Sequence, residues 1–127
     1  MMNPEVKVKW LEALRSGEYR QTRYTLQSPS HGFCCLGVLC DIYTKEVGGS
    51  WEYDYCESSC AHTLKVGEES AQTELPDCVV EWAGLEVRSP EVTNPFCEGE
   101  VAFCTLASLN DDGKDFEFIA DLIDRDL

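Results

Sequence analysis

Apolar side chains recur at helical spacing in four places along the chain, and the densest of these, FCCLGVLCDIY at residues 33–43, predicts a helix covered on most of its circumference. Only Asp41 is charged in that run. Gly37 lies in its middle, where glycine costs about 1 kcal/mol relative to alanine, so the sequence predicts a neighbouring backbone packed close against it. Before it, Val6, Trp10, Leu11 and Leu14 mark the buried face of a helix over about 4–16, capped by Asn3, opened by Pro4 and stopped at Gly17. Pro76 opens a short helix with Val79, Val80 and Trp82 or Ala83 inward, ended by Gly84. Asp115 caps a last helix with Phe116, Ile119, Ala120 and Ile123 on one face and Glu117, Asp121 and Asp124 on the other.

The remaining stretches carry weaker patterns. Residues 18–27, EYRQTRYTLQ, mix β-branched and aromatic types and predict a strand or an extended arm, with a turn at 28–32. The alternation in WEYDY at 51–55 predicts a strand whose aromatics cover the central helix, and Thr63–Val66 and Leu85–Arg88 read as short strands. GEESAQTE and SPEVTNPFCEGE read as loops, the second because Pro90 and Pro95 oppose regular structure. VAFCTLASLN at 101–110 reads as a helix, followed by a turn at 111–113. With 127 residues there is room for one domain, 1–127, and the expected architecture is α+β: helices on a small, largely antiparallel sheet around a buried central helix at 33–47.

Four blocks, LEALRSGEY at 11–19, FCCLGVLCD at 33–41, LPDCVVEWAGL at 75–85 and LASLNDDGKDFEFIADLI at 106–123, together resemble a set of small uncharacterised proteins met mostly in bacteriophage and some bacterial genomes. The resemblance covers about half of the chain. It implies a phage or prophage context and a compact α+β fold, and it carries over no site residues.

Charge changes the picture more than composition does. The net charge is −14, yet residues 1–31 hold five cations against three carboxylates, a balance of +2 that leaves −16 for the rest. Such a surface repels nucleic acid and leaves the N-terminal segment as the one seat for an anion. No apolar run approaches a membrane span, and MMNPEVKVKW lacks the apolar core of a secretory signal, so a location inside a cell is expected, which the phage-type resemblance makes the cytoplasm of a bacterial host. In that reducing setting, Cys34, Cys35, Cys40, Cys78 and Cys104, among apolar neighbours, read as buried free thiols.

Candidate chemistry follows from these placements. Cys56, Cys60 and His62 present three soft ligands within seven residues but lack the second cysteine pair of structural zinc, and a loop of unligated thiols is the simpler reading. Cys34 and Cys35 follow His31 at a helix N-terminus, where a dipole can activate a thiol, but with only two histidines in the chain core packing is the preferred reading. Ser108, Asn110 and Asp112 fit a calcium loop only until Ile119 falls where the bidentate glutamate belongs. The helix-turn-helix outline ends in an acidic helix, unlike a DNA reader. The anion site is the leading candidate: Arg20 and Arg23 alternate with Tyr19, Tyr24 and hydroxyl or amide side chains, with Arg15, His31 and the opening N–H groups of the central helix nearby. The alternative there is a basic patch pairing with the protein's own carboxylates.

No catalytic signature stands out and no cofactor is expected. The chain therefore reads as a non-enzymatic binding protein that takes a small anionic, nucleotide-like ligand, or else as an acidic nucleic-acid mimic that binds a basic host protein. A cysteine- or zinc-dependent protein is the third reading. The oligomeric state is left open, a homo-oligomer included.

Overall fold

In a computed structural model, described here for residues 2–28, 32–53, 62–94 and 102–127, the central run forms α2 (Cys35–Glu46), with every residue from Cys35 to Tyr43 buried. Cys34 caps it, its sulfur accepting the Gly37 N–H at 3.4 Å. The glycine is there for the reason its position suggests. A methyl group on Gly37 would lie 1.8 Å from the Leu26 carbonyl oxygen, because the arm preceding the helix crosses directly over it.

Around α2 the other helices lay their apolar faces. In α1 (Pro4–Arg15), Asn3 accepts the Glu5 N–H at 3.0 Å, and Val6, Trp10, Leu11 and Leu14 are buried. The Trp10 indole donates to the Cys35 carbonyl at 2.9 Å, which fixes α1 against the first turn of α2. α3 (Asp77–Ala83) meets α2 through Trp82, whose ring stands edge-on to Tyr43 at 5.2 Å. α5 (Phe116–Asp126), capped by Asp115, buries Phe116, Ile119, Ala120, Leu122 and Ile123 and packs on α1. No helix among the described residues is long and apolar enough to cross a membrane.

The strands form two small antiparallel sheets, so the expected α+β class holds with the sheet divided. β1 (Ser50–Tyr53), β2 (His62–Val66) and β3 (Glu69–Ala71) lie in that order, and β4 (Glu91–Asn94) pairs with β5 (Ala102–Thr105). Of the WEYDY aromatics, Trp51 on β1 reaches the central helix, donating from Nε1 to Asp41 at 3.2 Å with its ring edge-on to Phe33, just before α2, at 5.8 Å; the Tyr53 side chain and Tyr55 lie outside the described residues.

Several local expectations are corrected. The stretch expected to be one helix from Val101 is strand β5 followed by α4 (Leu106–Asp111), with Thr105 ending the strand and capping the helix by accepting the Ser108 N–H at 3.1 Å. Short apolar runs carry no period that separates strand from helix, and pairing with β4 decides this one. β4 itself lies inside a predicted loop; Pro90 and Pro95 flank it, which a strand end tolerates. The polar GEESAQTE contributes β3, closed on β2 by a two-residue turn in which Gly67 takes φ +60°. Leu85–Arg88 is a series of bends, not a strand. Residues 18–27 form an arm with isolated bridges from Gln21 and Gln27 to Phe33, not a regular strand. Of the five thiols expected to be buried, Cys34, Cys35 and Cys40 are, while Cys78 and Cys104 are half-buried.

The Gly37 contact sets a test of this packing. Backbone cannot retreat from a methyl group at 1.8 Å without moving the arm or the helix, so Gly37→Ala is expected to destabilise by more than about 4 kcal/mol or to prevent folding. Leu36→Ala, which only empties space, should cost about 2–5 kcal/mol in the same urea titration. Equal, small effects would contradict the close crossing.

Candidate functional site

The arm is held by a buried amide. Asn110, fully buried at the end of α4, donates from Nδ2 to the Thr22 carbonyl at 2.7 Å and accepts on Oδ1 from the Gln21 side chain at 2.8 Å and the Cys35 N–H at 3.3 Å. Gln21 also donates to the Lys114 carbonyl at 2.7 Å. Next in sequence, Asp111 accepts the Tyr24 N–H at 2.8 Å. That bond stabilises an unusual backbone: Tyr24 has φ +69°, and it is the one non-glycine residue with positive φ among those described. Its side chain is 68% exposed. A tyrosine in the left-handed region is strained, and the strain persists because the surrounding bonds determine the shape of residues 20–24.

Arg20 and Arg23 belong to this arch of residues 20–24, both exposed, and neither has an ion pair among the described residues. The Arg23 guanidinium lies over Gly113, 3.0 Å from where a Cβ there would be. The other candidates are placed elsewhere. Arg15 donates to Asp121 on α5 at 2.8 Å. Tyr19 turns inward and donates its hydroxyl to Asp41 at 2.7 Å, with its ring edge-on to Phe33 at 5.2 Å. Asp41 also accepts from Trp51 Nε1 at 3.2 Å and pairs with Lys45 at 3.1 Å. Burial, then the Asp41 carboxylate, pushes the Tyr19 hydroxyl above its ordinary pKa, and the same carboxylate raises Lys45. His31 lies outside the described residues.

The helix N–H groups expected to help an anion are partly in use. Those of Cys34, Cys35 and Gly37 go to Leu26 O, Asn110 Oδ1 and Cys34 Sγ. Beside Tyr24 opens a cleft of about 270 Å³ with Thr25, Cys34, Ser89, Glu74 and Asp111 among its walls. Its two carboxylates oppose an anion inside, so the charge that could meet one lies on the outer side, at Arg20 and Arg23.

Of the metal candidates, Cys56 and Cys60 lie outside the described residues. His62 is buried on β2, its Nδ1 paired with the Gln27 side-chain oxygen. No cluster of three metal-ligating side chains occurs among the described residues. As to a thiol nucleophile, burial pushes Cys34 up to about 11 and Cys35 well above its ordinary value, the reverse of activation.

Asn110 and Asp111 are the positioning residues that sequence reasoning missed: it has Asn110 end a helix and Asp111 begin the turn after it. The available signal was that Asn110 continues the buried face of Leu106 and Leu109, a polar residue at a core position.

Two measurements bear on this construction. Asn110→Ala leaves the Thr22 carbonyl, the Gln21 amide and the Cys35 N–H without their partner, so a loss of about 2–4 kcal/mol is expected, with faster tryptic cleavage after Arg20 and Arg23. Unchanged stability would remove Asn110 from its role. In the folded chain Cys34 stays protonated to about pH 11, whereas the unfolded chain ionises near 9.0. The unfolded state therefore loses its proton first, so stability is full below pH 9 and falls between 9 and 11, by up to about 1.4 kcal/mol per pH unit for this thiol. Cys34→Ser, which keeps a capping oxygen, should flatten that decline.

No curated protein and no solved structure matches the chain. A family match, by contrast, spans residues 2–127 and so takes in the arm, α2 and the Asn110–Asp111 support together. By that match the chain belongs to the family described as "Domain of unknown function (DUF8296)".

Proposed function

We propose that the chain is a non-enzymatic binding protein that takes an anionic, nucleotide-like ligand on the arch at residues 20–24. Arg20 and Arg23 meet phosphate oxygens, and the exposed Tyr24 ring offers a face on which a base stacks. The observation that carries this reading is Tyr24 itself: a strained backbone, maintained by Asp111, presents a large aromatic side chain to solvent directly after Arg23, on a segment whose two arginines have no ion pair among the described residues. Strain of that kind gathers where a side chain must be presented in one orientation. Arg15 and Tyr19 then support the fold through Asp121 and Asp41 and contribute no direct contact. The four sequence blocks add the setting of a phage-type protein, and in that setting a nucleotide-binding arch would serve counter-defence by sequestering a nucleotide signal.

A second reading is favoured by α5. Glu117, Asp121 and Asp124 are exposed along one stripe, with rises of about 6 and 4.5 Å between them, so an acidic mimic of a phosphate row could occupy a basic host protein.

Calorimetric titration with nucleotides separates the two. If the arch binds, Arg20→Ala and Arg23→Ala each remove about 1.5–3 kcal/mol of charge-assisted hydrogen bonding, and Tyr24→Ala about 1–3 kcal/mol of stacking. Substituting Glu117, Asp121 and Asp124 with their amides should leave nucleotide affinity nearly unchanged. Absence of binding by any nucleotide, together with loss of host-protein capture in the amide variant, would replace the first reading with the second.

A further inference from the structure

A second cavity, which shares only Ser89 with the cleft beside Tyr24, opens where the chain between α3 and β4 meets the start of α1 and the end of α5. It measures about 610 Å³. Its apolar surface comes from Met2 and Pro90, both buried, from the half-buried Leu85 and Leu127, and from Val87, which is 52% exposed. Three carboxylates stand on it: Glu86, Glu91 and Asp126. Arg125 holds Asp126 through two bonds at 2.7 and 2.8 Å. Glu86 and Glu91 are exposed and have no ion pair among the described residues, and no Lys or Arg lines the groove.

We infer that this groove docks a basic segment of a partner protein, one that places Lys or Arg beside a large apolar side chain. The apolar part would cover Val87 and Leu85, and the cations would meet Glu86 and Glu91. A small cation alone would satisfy the carboxylates and leave Val87 in water. A second copy of the chain seated by a two-fold axis would set these same carboxylates against each other, which like-charge repulsion disfavours. An anionic membrane surface is repelled for the same reason. Exposed apolar surface rimmed by charge of one sign is instead what a complementary segment covers, with attraction steering its approach. This inference is independent of the arch.

Fluorescence anisotropy with synthetic peptides of about 12 residues tests it: one alternating Leu with Lys, one with Ser in place of Leu, and one with Glu in place of Lys. The Leu/Lys peptide should bind, the Ser version at least about 10-fold more weakly, and the Glu version not at all. Glu86→Gln with Glu91→Gln should weaken the Leu/Lys peptide about 10-fold and flatten its salt dependence, and Val87→Ser should weaken it about 5-fold. Glu12→Gln with Glu68→Gln, two exposed carboxylates outside the groove, should change it less than about 2-fold. All these positions are exposed, and melting of each variant verifies that it folds. The inference is overturned if the Leu/Lys peptide does not bind, or if the Glu12 and Glu68 variant weakens it as much as the groove variants do, which marks general charge attraction. It is also overturned if sedimentation shows self-association that Val87→Ser abolishes, since the occupant is then a second copy.

Discussion

The Leu26 carbonyl passes over Gly37 backbone to backbone, with no room for a side chain between them. Three features depend on it. The Leu26 carbonyl accepts the Cys34 N–H at 3.2 Å, which starts α2. The Leu26 N–H donates to the Gln72 carbonyl at 2.6 Å, which draws the chain after β3 against the arm. The crossing also fixes where the arm leaves α2, and hence where residues 20–24 can project. A fully buried helix needs neighbours on every side. Here one neighbour is a strip of irregular chain, admitted only because one residue of the helix has no side chain.

That strip would otherwise be a problem, since irregular backbone near a core has polar groups with no regular partners. Asn110 is the solution the fold uses, a single amide that serves a carbonyl, a side-chain amide and a helix N–H. Asp41 does the same on the other side, joining Tyr19, Trp51 and Lys45 around one carboxylate. These two buried groups hold residues 19–22, the first half of the arm, by bonds whose loss exposes several partners at once. The surface ion pairs, by contrast, are exposed on both sides in most cases and contribute little each.

How far the sequence was legible follows from the range of the forces involved. α1, α2, α3 and α5 were legible because caps and period are local: Asn3, Gly84 and Asp115 stand where the helices begin or end. β3, β4 and β5 were not, since each is decided by a partner strand that a short apolar or polar run does not announce. For the site, composition picked out Arg20, Arg23 and Tyr24, and the same composition included Arg15 and Tyr19, whose side chains are claimed by Asp121 and Asp41. Asp121 lies 106 residues from Arg15, and nothing near Arg15 signals it. The support from Asn110 and Asp111 was hidden by the same distance.

That distance has a consequence for how the protein is made. Residues 20–24 leave the ribosome early, yet the groups that hold their shape lie 87 to 89 residues further along. Contacts of such long range form late, after the intervening chain has been organised. Until residues 110 and 111 have emerged, the arm has no template for its left-handed turn at Tyr24. A chain interrupted before α4 would carry both arginines and the tyrosine but would lack the means to present them. The projecting arch is thus conferred on residues 20–24 by residues that are made 87 to 89 positions later.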